Sequence, residues 1–139
     1  MKPCEIIKLL RSDNSKLFKQ EVISQHMDNE EFVEGLQYAL TPLITYGVQS
    51  VPNAELLGEF HGPELEWSDF KVLLDKLIAR ELTGHAARDA IVDSMVLSNV
   101  EQWNDWYRPI LLKDLKAGFS EKTVNKVAKG TIQVFGCML

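Results

Sequence analysis

The chain has 139 residues, 45% of them hydrophobic, the size of one ordinary domain that can bury a single core without staples. Its two cysteines, Cys4 and Cys137, lie near opposite ends and form no Cys-x-x-Cys pair, so neither a disulfide framework nor a zinc module is suggested. The net charge of −5 argues against a nucleic-acid binder only as a single number: residues 108–130 hold six Lys or Arg against two acids, and residues 1–107 hold nine against eighteen. Binding responds to where charge sits, so a basic C-terminal face on an acidic body is compatible with DNA. Glu5, Lys8 and Arg11 interrupt the first apolar residues before a signal-peptide core or membrane span could form. A soluble, cytoplasmic, monomeric protein in a reducing compartment is expected.

In chain order, the spacing of Ile6, Leu9 and Leu10 predicts a first helix over 3–11, with Pro3 tolerated in its first turn. A second is predicted over 15–27 with Leu17, Phe18 and Val22 inward, and a third follows a cap at Asp28 or Asn29. The third carries Phe32, Val33, Leu36, Ala39 and Leu40 on one face and stops at Pro42. From 42 to 67, three prolines and three glycines dissolve the pattern, and only 53–57 looks able to form a helical turn. Its apolar residues suggest a segment packed over the core; a floppy linker is the alternative. Ser68 is expected to cap the most regular helix, marked by Phe70, Leu73, Leu74, Leu77, Ile78 and Leu82. Thr83 and Gly84 end it and open the next, over 85–97, which begins with small residues at Ala86, Ala87 and Ala90. Asn99 caps a helix bearing Val100, Trp103, Tyr107, Ile110, Leu111 and Leu115, with a kink expected near 106–108 because Pro109 sits inside it. The last helix, over 121–128, turns Val124, Val127 and Ala128 inward, and order is expected to end at Gly130.

The stretch 111–129 organises the rest. A helix is expected to end at Gly118, with Ser120 as N-cap of the next after about two residues. The N–H groups opening that helix make an anion site, ringed by Lys113, Lys116, Lys122, Lys126 and Lys129. A capped hairpin with a solvated lysine face fits the same residues. A weak internal repeat relates the two glycine turns: Arg80-Glu81-Leu82-Thr83-Gly84, with Arg88 four residues on, echoes Lys113-Asp114-Leu115-Lys116-Ala117-Gly118, with Lys122 four residues on. The repeat is either the chance likeness of helical hairpins or two quasi-equivalent phosphate clamps.

No catalytic constellation is legible. His26, His61 and His85 are scattered without ligand spacing, and no phosphate-binding glycine loop or nucleophile elbow occurs. Trp103, Trp106 and Tyr107 could stack bases, but their helical spacing favours core packing. The residues alone yield an all-α, noncatalytic, backbone-binding single domain of about seven helices, or else a helical protein-interaction module with Trp103, Trp106 and the 42–67 loop as its surface.

Leu82-Thr83-Gly84-His85-Ala86-Ala87 followed by the run from Leu111 to Val127 resembles the N-terminal DNA-binding domain of ATP-dependent DNA ligases, closest to the bacteriophage type. The likeness is specific from about Phe70 to Val127, and His85 departs from the asparagine common at that turn. It implies an all-α domain over 1–130 that lies across the minor groove of nicked duplex DNA, with phosphates contacted by the backbone at Gly84 and Gly118. Thr83, Arg88, Lys113, Lys116, Ser120, Lys122, Asn125 and Lys126 are the further contacts implied. It also implies a parent enzyme that uses ATP and Mg through a Lys-x-Asp-Gly lysine absent from this sequence. Residues 131–139 would then begin the linker into the parent's nucleotidyltransferase domain, so a noncatalytic fragment without cofactors of its own is expected.

Overall fold

The computed structural model describes residues 2–48, 51–52 and 65–132. These residues form seven helices and no strand. They are α1 (Pro3–Arg11), α2 (Lys16–Gln25), α3 (Glu30–Leu40), α4 (Trp67–Ile78), α5 (Gly84–Leu97), α6 (100–112) and α7 (Glu121–Val127). Side chains begin three of them as their sequence demands: Ser15 accepts from the Phe18 N–H, Asn29 from Phe32, and Asn99 from Glu101 and Gln102. Helix α4 instead starts at Trp67, so Ser68 lies inside its first turn, and Glu66 holds the N-cap position without a side-chain bond.

The predicted periodicities bury what they should on α1, α3 and α4, where Ile6, Ile7, Leu10, Phe32, Leu36, Phe70, Leu74 and Leu77 are all inaccessible to solvent. On α2 the expectation fails at Leu17, which is 77% exposed, and the buried positions are Lys19, Val22 and Ile23. Trp103, Trp106 and Tyr107 of α6 enter the core beside Phe32, Phe70 and the half-buried Trp67, with ring centroids as close as 4.5 Å between Phe70 and Tyr107. Gly35 lets α3 approach this cluster: a Cβ there would lie 2.1 Å from the Trp106 ring, an overlap a close-packed core does not tolerate. The aromatic surface required by the interaction-module reading is therefore interior.

The disturbance expected in α6 from Pro109 takes the form of a widened turn. Proline has no N–H for the carbonyl four residues back, and residues Trp103–Tyr107 form a π-helical turn in which the Arg108 N–H reaches the Trp103 carbonyl. That turn sends side chains of α6 to the segment between α3 and α4. The Trp103 indole donates to the Pro52 carbonyl (2.9 Å), Arg108 Nε to Val51 (2.8 Å) and the Tyr107 hydroxyl to Leu65 (3.1 Å). With Tyr46, Val51 and Leu65 buried, the described ends of 42–67 pack on the core; the helical turn expected at 53–57 lies outside the described residues.

Helix α2 packs on α1 and α7, α6 on α1 and α3, and α4 on α5. Among the described residues, three ion pairs from α1 tie it to α6: Lys8 to Glu101 (3.2 Å) and to Asp105 (3.7 Å), and Arg11 to Asp105 (2.7 Å). Order continues past Gly130, contrary to expectation: Ile132 is buried and its backbone is bonded at both N–H and C=O. The remaining tail, 133–139, lies outside the described residues. No described helix is long and apolar enough to cross a membrane.

Candidate nucleic-acid interface

Both turns of the internal repeat are built on the same backbone device, and in neither does glycine end the helix. After α4, Arg80 takes the left-handed conformation (φ 60°); its N–H donates to Leu77 and that of Glu81 to Lys76. After α6, Lys113 does so (φ 57°); its N–H donates to Ile110 and that of Asp114 to Pro109. Each is the paired-bond helix ending that usually recruits glycine at its left-handed position. The repeat register read from the sequence, Arg80 with Lys113 and Glu81 with Asp114, thus describes a real structural equivalence. The expectation that α6 continues to Gly118 does not hold: the helix stops at Leu112, and eight residues, not two, separate it from α7.

A side chain in the left-handed region costs about 1–2 kcal/mol, so something must hold Arg80 and Lys113 there. Both reach the same strap, the end of α3 and the residues after it. Arg80 donates to the Thr45 hydroxyl (2.9 Å) and the Leu77 carbonyl (3.0 Å), and Gly47 leaves room for it, since a Cβ there would lie 2.6 Å from Arg80 Nη1. Lys113 Nζ donates to the Thr41 carbonyl (2.5 Å) and sits 5.9 Å over the Tyr46 ring. Burial pushes the Lys113 ammonium down to a pKa of about 8.

Beyond these caps the turns diverge. Thr83 holds the N-cap position of α5 with no side-chain bond, and Gly84 (φ 55°) has no atom within 4 Å of where a Cβ would project. Its backbone is open to close approach. The exposed Arg88 stands one turn on, and Gly84 and Arg88 border a groove of about 720 Å³ lined by Val51, Pro52, Ile91 and Met95.

The second turn is held from behind. Lys116 is also left-handed (φ 52°), its N–H bonded to Asp114 Oδ1 (3.0 Å). Arg11 donates to the carbonyls of Leu115 (2.8 Å) and Lys116 (3.2 Å), and Lys19 to those of Ala117 and Leu10. Gly118 (φ 73°) lies against Lys19, where a Cβ would be 2.5 Å from Nζ. Ser120 is the N-cap of α7, again without a side-chain bond. Both repeat turns thus leave their Thr or Ser N-cap hydroxyl unspent, whereas Ser15, Asn29 and Asn99 use theirs to cap.

The expected site residues consequently separate. Lys116, Lys122, Lys126 and Lys129 are exposed and make no ion pair among the described residues, and they share one short segment with Gly118 and Ser120. Thr83, Gly84 and Arg88 form the other group. Lys113 turns inward to the strap, and Arg108, counted in the basic region, bonds Val51. Asn125 exchanges two hydrogen bonds with the backbone of Ile132 (2.8 and 3.0 Å), so its amide holds the chain after α7. Sequence reading missed Arg11 and Lys19. Lys19 had a signal, a lysine within the apolar run around Phe18, Val22 and Ile23, but nothing local to name its partner 98 residues away.

Two solved structures are similar to this chain. Pmar-Lig_Pre. is 43% identical over 96% of it with a TM-score of 0.89, and Pmar-Lig_PreS3 is 46% identical over 93% with a TM-score of 0.87. The chain spans 31% and 30% of their respective lengths. No protein-family model and no curated protein matches it. The likeness supports a ligase-related fold.

Proposed function

We propose that this ligase-related fold is the DNA-binding domain of an ATP-dependent DNA ligase of the bacteriophage type, gripping the duplex backbone across the minor groove around a nick. The observation that carries the reading is the second turn. There, Lys116, Lys122 and Lys126 stand exposed beside a left-handed Gly118 and an N-cap hydroxyl that bonds nothing in its own helix. Helix α7 has only seven residues, so its dipole is a minor contribution; side-chain charge and loop amides carry the attraction. Thr83, Gly84 and Arg88 offer the second contact. Phosphate contacts of this kind position a protein on duplex DNA without reading its sequence.

Strand joining belongs, on this reading, to the rest of the parent enzyme. The Lys-x-Asp-Gly lysine that joining needs is absent from this sequence, so ATP and magnesium are assigned to the parent's catalytic domains. The partners proposed are nicked duplex DNA and the parent's catalytic domains.

The test is fluorescence anisotropy with nicked and intact duplexes at several salt concentrations. A dissociation constant on the order of 10⁻⁴ to 10⁻⁶ M at physiological salt, weakening steeply as salt rises, is expected of such contacts. Reversing Lys122 and Lys126 together to Glu abolishes binding with helicity retained, while reversing the exposed Lys16 changes little. Equal binding by the Lys122, Lys126 variant and the parent at every salt concentration would overturn the reading.

A further inference from the structure

Lys19 is 3% exposed and lies in the acidic N-terminal part of the chain, on a helix with no other basic residue but Lys16. A buried ammonium is costly unless its protons are taken up, and here they go to the carbonyls of Leu10, at the end of α1, and Ala117. The neighbouring carbonyls, Leu115 and Lys116, go to Arg11, whose third contact, Asp105, fixes it to α6. Three consecutive carbonyls of one loop therefore face two cations from the N-terminal helices.

Peptide geometry turns this into a statement about the opposite side. The bonds are trans, and in a trans peptide the N–H points opposite to the C=O it shares a plane with. The N–H groups of Lys116, Ala117 and Gly118 consequently face away from Arg11 and Lys19. Asp114 takes the first, and those of Ala117 and Gly118 have no partner among the described residues. Lys116 and Gly118 are both left-handed, a turn conformation in which backbone amides can line an anion-binding concavity, and of the two amides only that of Gly118 lies on an exposed residue, Ala117 being 3% exposed.

We propose that Lys19 and Arg11 are positioning residues for the phosphate-binding loop: they hold the carbonyls of Leu115, Lys116 and Ala117 inward so that the exposed amide of Gly118 presents itself to a backbone phosphate. Neither side chain touches the phosphate. The proposal rests on the DNA-binding reading and adds that the affinity of the basic turn is set from the acidic half of the molecule.

The experiment compares Lys19→Met, Arg11→Gln and Lys122→Gln by anisotropy with nicked duplex across a salt series, with melting followed for each. Losing a charge-assisted bond to phosphate corresponds to about a tenfold weakening or somewhat more, which is the effect expected of Lys19→Met and of Arg11→Gln. Their salt slopes stay at the parent value because the amide contact they disturb is uncharged and releases no counterion, whereas Lys122→Gln lowers the slope by about one. In parallel, the Gly118 amide proton shifts on adding duplex to the parent and not to Lys19→Met; inorganic phosphate alone, added as a second titrant, separates a free-anion site from one that needs the duplex. If Lys19→Met does not fold, Arg11→Gln, at the partly exposed edge of the loop, decides the matter. Should Lys122→Gln weaken binding while Arg11→Gln and any folded Lys19→Met bind like the parent, the positioning role is wrong and the DNA reading stands. If charge reversal at Lys122 and Lys126 has no effect, both fall.

Discussion

The turn between α4 and α5 and the turn between α6 and α7 start from one plan and finish differently. Each closes its first helix with a basic residue in the left-handed conformation, and each basic side chain is drawn to the strap around Thr41 and Thr45. Past that point the first turn has open space at its glycine, and the second has its glycine pressed against a buried lysine. A local motif can therefore be repeated in sequence while its support is not. The first turn is tied to the strap at Arg80, whereas the eight-residue second loop has, besides Lys113, two cations from α1 and α2 behind it.

Alanine at the two glycines is the sharpest test of that contrast. Gly84→Ala meets no atom and carries only the left-handed penalty, about 1 kcal/mol, whereas Gly118→Ala adds a collision with an ammonium locked to two carbonyls and should cost about 2–3 kcal/mol in urea denaturation. Equal losses at the two sites would mean that Lys19 gives way freely.

A smaller effect is expected on DNA affinity. Arg88→Gln and Lys122→Gln should each lower the salt slope by about one and weaken binding by roughly tenfold if both turns contact phosphate. A change at Lys122 alone would leave the first turn as a structural echo of the second.

The caps differ more subtly. Glycine at position 80 or 113 relieves about 1 kcal/mol of left-handed strain, but the Lys113 ammonium makes a partly buried bond to a carbonyl, worth about 1.5–3 kcal/mol. Lys113→Gly should therefore destabilise by about 1 kcal/mol, and Arg80→Gly, which loses mainly a solvent-exposed tie, should be close to neutral, both read from thermal or urea midpoints.

The smallest signature is in pH. With the Lys113 pKa depressed from 10.5 to about 8 in the folded state, the unfolded chain binds more proton between those values. Stability should then rise as pH increases from about 8, a slope that Lys113→Met removes. The interval from about pH 8 to 9 is the one to measure, because the Cys4 thiol, pushed above its ordinary 9.0 by burial, and Tyr38, raised to about 12 by burial and by its bond to Asp75, pull stability down once their unfolded counterparts ionise.

The helices were legible wherever one face had to be apolar: the caps at Asn29 and Asn99, the stop at Pro42 and the rhythm of α1, α3 and α4 needed no partner to be read, whereas the caps Ser15 and Glu66 were not anticipated. Of the candidate site, the exposure of the lysines at 116, 122 and 126 and the left-handed conformation of Gly84 and Gly118 were legible, although neither glycine ends a helix as expected. Lys113 and Asn125 were not separable from them by composition. Lysine and asparagine look alike whether they meet solvent or a carbonyl of their own chain.

The sequence by itself determined the all-helical class, the disturbance of α6 at Pro109, the interior fate of Trp103 and Trp106, and the register of the two turns. Each follows from periodicity or from a missing N–H, which act within a turn or two of helix. Tertiary structure decided that the helices end at Arg80 and Lys113 rather than at glycine, that Lys19 is buried, and that Asn125 is spent on Ile132. For Arg80, Lys113 and Lys19 the deciding bonds run to oxygens 35, 72 and 98 residues away. Asn125 bonds a residue only seven positions on, but that contact required the chain past Gly130 to fold back and bury Ile132. Strain at a left-handed residue or the desolvation of a lysine is tolerated only when such a partner is in place, and which partner is in place is a property of the packed molecule.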